Sequence, residues 1–241
     1  MITTCTMAAP FVRFGTPHLA VIALAFALPL GLTALVHRTR RTALERTISL
    51  AFAAELIATW ALWYWLIVSQ GWVSAATVLP MNLCDWAAIA ALVTLVRPNQ
   101  WSYELAWFWS LSGTLQALLT PDLAYDFPDL RFVVFFAFHG GVIASVLYLT
   151  LGLGMRPWSR SIPRVIAWSL AYLLSALAIN SLFHTNFGYL SAKPATPSLL
   201  DYLGPWPVYV LALVGLGLLY IFLLYSPFLL ADMAARRRDR G

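Results

Sequence analysis

FVVFFAFHGGVIASVLYLTLGL, residues 132–153, carries no acidic or basic side chain except His139. About 20 mostly apolar residues suffice to cross the hydrocarbon of a bilayer as a helix, so this stretch reads as a membrane span. Six further runs match it in length and character, at 17–36, 47–69, 73–96, 101–119, 164–184 and 206–230. Together they predict an all-α, polytopic bundle of seven transmembrane helices, one transmembrane domain over 1–241 with a cap loop at 185–205. At 61% hydrophobic and 10% charged residues, the chain has too little polar surface to cover a soluble globule.

Charge fixes the expected orientation. Of the 15 basic residues, twelve fall in alternate gaps: Arg38, Arg40, Arg41 and Arg46, then Arg97, then Arg156, Arg160 and Arg164, then Arg236, Arg237, Arg238 and Arg240. Arg13, Arg131 and Lys193 lie on the other side. The positive-inside rule then puts the C-terminus in the cytoplasm and the N-terminus outside, as for a multi-pass membrane protein. The net charge of +5 is read as topology and contact with anionic lipid rather than as a nucleic-acid surface. MITTCTMAAPFVRFGTP lacks the layout of a cleavable signal peptide, so the first span is expected to stay. Cys5 and Cys84 are far apart in expected depth, and Cys5 reads as an idle tail thiol.

A polar side chain is costly at membrane depth, by about 2.5–3.5 kcal/mol for a charge on insertion scales, so each one inside a span is a candidate for function. Glu55, Cys84, Asp85, Gln116, His139 and Asn180 qualify, with His184 at a span's outer end. Rise per residue places Cys84, Gln116, His139 and His184 in the outer half, where they can meet, and Glu55 nearer the inner end. A thiolate attacks acyl carbonyls, and an imidazole can take its proton and return it to a leaving oxygen. Pro80 at a first helical position would set Cys84 in the second turn, near the positive end of a helix dipole. Asp85 points about 100° away from Cys84, so its expected part is to orient His139 or to pair with another span. A lone buried cysteine is also ordinary packing, and His184 reads equally well as a solvated cap. No HxxxH or CxxC spacing supports a metal, and no cofactor is expected.

The segments LPMNLCDW (79–86), GTLQALLTPDL (113–123), FPDLRFVVFFAFHGG (127–141) and TNFGYLSAKPATPSLLDYLGPWPVY (185–209) resemble the YwaF family of bacterial integral membrane proteins. That family is in turn similar to the transmembrane protein 164 acyltransferases, in which a cysteine and a histidine carry acyl transfer onto lysophospholipids. The resemblance covers about residues 45–225; its LPxxLC motif falls on Cys84 and its FxxxHG motif on His139. It implies site-lid or folding roles for Asn186, Tyr189, Lys193, Pro194, Asp201, Gly204 and Trp206. The chain has NFGYL at 186–190 where many relatives have NYMYL.

The expected function is therefore an intramembrane acyl-transfer enzyme or lipid hydrolase acting on phospholipid or fatty-acyl substrates. Cys84 is the expected nucleophile and His139 the base, with Gln116, Asn180 or Asn186 donating to the oxyanion. Its partners would be membrane lipids and the acyl substrate; the oligomeric state is open. Two alternatives stand beside it: a proton-coupled or small-molecule transporter using Glu55 and Asp85, and a non-catalytic scaffold. A retinal protein is excluded because the sole lysine, Lys193, lies in a loop.

Overall fold

A computed structural model describes residues 9–194 and 198–238. Cys5, Arg240 and positions 195–197 of the cap loop lie outside these residues. The described chain is helical throughout, with a single isolated bridge between Pro10 and Tyr125. Its elements are α1 (Thr16–Thr39), α2 (Thr42–Ser69), α3 (Ala75–Val78), α4 (Leu83–Val96), α5 (Gln100–Trp109), a π turn (Ser110–Thr114), α6 (Leu115–Leu119), α7 (Leu130–Leu151), α8 (Ser161–Phe183) and α9 (Val208–Arg238), with short 3₁₀ turns between α8 and α9.

Six helices are long and apolar enough to cross a membrane, counting α3 and α4 as one rod. The seventh expected span, 101–119, is helical over Gln100–Leu119 but is built from α5, the π turn and α6. Outward-facing side chains such as Leu182, Leu211 and Val68 are more than two-thirds exposed, which suits hydrocarbon and not water.

Two local expectations are corrected. The third span is not one helix started by Pro80. Ser74 and Thr77 cap α3, the chain leaves helical geometry at Leu79, and proline disfavours helix in the residue before it. Asn82 then caps α4, its backbone N–H donating to Asp85 Oδ2 at 2.9 Å, so Cys84 falls in the first turn rather than the second. The last helix runs past 230 to Arg238, carrying Arg236, Arg237 and Arg238 as its final turn, where cations suit the helix dipole.

The bundle is organised around α7, which packs on α1, α2, α4, α5 and α6. Its most apolar window is 61% buried, against 33% or less for the other five long helices. Two adjacent glycines allow the close approach: a Cβ on Gly140 would stand 3.5 Å from Ala25 Cβ, and one on Gly141 would collide with the Glu55 carboxylate. By contrast α8 and α9 dock shallowly, 22% and 17% buried. At the arginine-rich end, Arg164 pairs with buried Glu104 at 2.5 Å and Arg156 pairs with Asp232 at 2.6 Å, tying α8 to α5 and the α7–α8 loop to α9.

Candidate functional site

Shallow docking of α8 and α9 leaves a cavity of about 900 Å³ against α2, α4, the π turn, α6 and α7. Its wall is mostly apolar, with Trp60, Trp63, Phe135, Phe138, Leu173 and Ile221 among its residues. Cys84, Asp85, Gln116 and His139 all line it, as do Tyr189 and Pro194 of the cap loop. The size fits a lipid-sized guest, since small-molecule sites commonly enclose about 300–1,000 Å³.

His139 is fixed by its own helix. Nδ1 stands 2.7 Å from the Phe135 carbonyl, and a carbonyl only accepts, so Nδ1 carries the proton and Nε2 keeps its lone pair. Phe135 stacks on the imidazole at 4.1 Å and Phe138 meets it edge-on at 5.3 Å, which locks the ring. The partner anticipated for this ring, Asp85, instead accepts from the start of its own helix.

Cys84 faces the cavity from the first turn of α4, where helical amides have no acceptor within the helix. The π turn packs against this turn: a Cβ on Gly113 would fall 2.9 Å from Leu83 Cδ2. It thereby brings the Thr114 hydroxyl beside the thiol. That hydroxyl is fully buried and makes no conventional hydrogen bond. Among the described residues no hydrogen bond joins Cys84 to His139, although both line the cavity.

The remaining predicted residues divide by what they touch. Gln116 spans the cavity floor, donating from Nε2 to the Tyr220 hydroxyl at 2.9 Å. The buried amide of Asn180 is committed to the chain after α8: Nδ2 donates to the Phe187 carbonyl, and Oδ1 accepts from Thr185 Oγ1 and the Phe187 amide. Asn186 likewise folds the loop, accepting from the Ser191 and Ala192 amides and donating to the Ala192 carbonyl. His184 is the exposed left-handed cap of α8 and does not line the cavity.

In the cap loop, Tyr189 donates to Asp122 at 3.2 Å, and burial together with that carboxylate pushes its hydroxyl up to about 12. Trp206 Nε1 donates to the Leu190 carbonyl, Asp201 accepts from the Ser198 amide, and Lys193 lies 5.5 Å from the centre of the Tyr209 ring. These three hold the loop and stand outside the cavity wall. Below it, Asp129 and Arg131 form a two-pronged pair, with Arg131 also 3.5 Å over the Tyr125 ring. Hydrogen bonding from Arg131 holds the Asp129 carboxyl below the usual carboxylate range.

Glu55 does not join the site. Its Oε1 accepts from Thr59 and its Oε2 is buried without a partner, pressed against Gly141. Three residues that matter here escaped the sequence reading. Glu104 was obscured by its place in the polar opening QWSYE, although it is 1% exposed. Thr114 and Tyr172 carry no charge to flag them; only the π turn sets Thr114 beside Cys84, and only the packing of α8 brings Tyr172 to the cavity.

This is a multi-pass helical membrane protein with a large apolar cavity that holds a cysteine and a histidine. The TMEM164 family profile matches residues 13–225, and the chain belongs to that family. No curated protein and no solved structure matches it.

Proposed function

We propose that the protein is an intramembrane acyl-transfer enzyme acting on phospholipid or fatty-acyl substrates, a bacterial member close to the YwaF proteins. The observation that carries the reading is the single apolar cavity lined by both the Cys84 thiol and a His139 ring whose Nδ1 is tied down and whose Nε2 is left basic. Cys84 attacks an acyl carbonyl and holds the chain as a thioester. His139 Nε2 takes the thiol proton, directly once substrate draws the walls together or through one water, and returns it to the leaving oxygen. A second hydroxyl or water then takes the acyl group by the reverse steps. Apolar walls suit the acyl chain.

In the orientation expected from charge, the cap loop faces outward and Arg236–Arg238 face the cytoplasm, so substrate is drawn from the outer half of the bacterial cytoplasmic membrane. The purified protein, incubated in mixed micelles with a phospholipid bearing a fluorescent acyl chain, should acquire a hydroxylamine-sensitive label. Cys84→Ala should abolish it with an unchanged melting temperature. Label persisting on that variant would put the nucleophile elsewhere. A proton-coupled carrier draws on Glu55, which does not line the cavity; proton flux in liposomes lost with Glu55→Gln would revive it.

A further inference from the structure

Tyr172 lies at the middle of α8 and is 7% exposed. Its ring is held edge-on against Trp86 of α4 at 5.4 Å and packs in a cluster with Ala176, Phe187 and Leu190. Its hydroxyl makes no hydrogen bond. Buried hydroxyls are nearly always paired, so a phenol fixed by its ring and left with an idle donor needs an explanation.

The surroundings supply one. Tyr172 lines the cavity, and its oxygen stands next to the Leu83 backbone amide and within electrostatic reach of Cys84 and Asp85. The loop makes room for it through Gly188, whose φ of 65° is left-handed and whose Cβ would stand 2.9 Å from the phenol oxygen. The glycine at this place in NFGYL thus leaves space for the tyrosine hydroxyl beside it. Leu83 and Cys84 are the first two residues of a 14-residue helix, whose initial amides lack acceptors within it and carry partial positive charge. Asp85, the nearest negative group, is turned to the Asn82 amide.

Resting on the acyl-transfer reading above, we propose that Tyr172 is a further catalytic residue, which together with the first-turn amides of α4 binds the acyl carbonyl oxygen as it becomes an oxyanion. When Cys84 sulfur attacks, an S–C bond forms, the carbonyl π pair moves to oxygen, and the thiol proton passes to His139 Nε2. The new O⁻ accepts hydrogen bonds from Tyr172 Oη and the amide. Collapse restores C=O, breaks the ester C–O bond and delivers the His139 proton to the leaving oxygen. Tyr172 transfers no proton; it is a donor already in place for charge that develops only in the transition state.

The test is Tyr172→Phe, which removes one oxygen and keeps the ring packing. The probe is p-nitrophenyl palmitate in mixed micelles, followed by p-nitrophenolate release and by intact mass of the acylated protein. Loss of one oxyanion donor is expected to slow acylation by about 100- to 1,000-fold with KM little changed. Alkylation of Cys84 by iodoacetamide, a displacement that forms no oxyanion, should proceed at the wild-type rate. Equal acylation of wild type and variant at Cys84 would overturn the role of Tyr172 while leaving acyl transfer standing. Parallel loss of acylation and alkylation would reduce Tyr172 to packing. A wild-type protein that is never acylated at Cys84 would remove the acyl-transfer reading, and Tyr172 with it.

Discussion

Replacing Asn180 by alanine separates a loop-folding amide from a catalytic one. The side chain is 5% exposed and makes three hydrogen bonds, at 3.0, 2.9 and 2.8 Å, to the Phe187 carbonyl, the Thr185 hydroxyl and the Phe187 amide. Phe187 is 3% exposed, so water cannot replace what is lost. With about 1 kcal/mol net per bond, and about 1–3 kcal/mol more for leaving buried groups unpaired, the loss should reach about 4–6 kcal/mol. Asn180→Asp keeps the acceptor but sets a carboxylate oxygen against the Phe187 carbonyl at a buried site, so at neutral pH it should be no less destabilising. Both are read from the melting midpoint in detergent, and the location of the damage from amide hydrogen exchange over 185–190, which should accelerate first. If Asn180→Ala melts and exchanges like the wild type yet loses turnover, its amide serves the substrate and the structural account is wrong.

Other perturbations follow from single contacts. Arg164→Met strands the Glu104 carboxylate at a buried site and should cost about 3–5 kcal/mol in a thermal unfolding assay, with part of it recovered by adding Glu104→Gln. Gly141→Ala puts a methyl group onto the Glu55 carboxylate and should destabilise by about 1–3 kcal/mol, while Gly141→Ala with Glu55→Ala should recover most of the loss. Because the Asp129 carboxyl is lowered in the folded protein, its pairing with Arg131 contributes fully above the ordinary carboxylate pKa and fades as acid titrates through the lowered value. The melting temperature of Asp129→Asn should therefore approach that of wild type below pH 3 and fall behind it at pH 6, and a gap independent of pH would contradict the pairing.

The spans were legible because apolar length is a direct requirement of hydrocarbon: 17–36 and 132–153 differ from α1 and α7 by three residues or fewer at each end. Helix starts were less so. Pro80 looks like a first helical residue, but Asn82 and Asp85 form the stronger cap two residues later, and only tertiary packing decides between them. That Cys84 and His139 would line a common space followed from estimated depth. That no hydrogen bond joins them did not, since depth in the membrane does not say how side chains on α4 and α7 turn toward each other. For Asn180 and Asn186, residue type alone does not distinguish an amide aimed at substrate from one that ties down its own loop. The π turn left no readable mark, because SLSGT differs little from any small, polar helix segment.

That turn makes the proposed chemistry unusually sensitive to chain length. A π turn is an α-helix with one surplus residue accommodated in its ladder. Removing a single codon within 110–114 would let α5 and α6 merge into one regular helix, with ordinary hydrogen bonding and the same apolar length. Everything beyond the deletion would then rotate by about 100° about the axis, swinging Gln116 off the cavity wall. The membrane would accept the shortened protein as readily as the original, so an inert sibling of this bundle lies one in-frame deletion away.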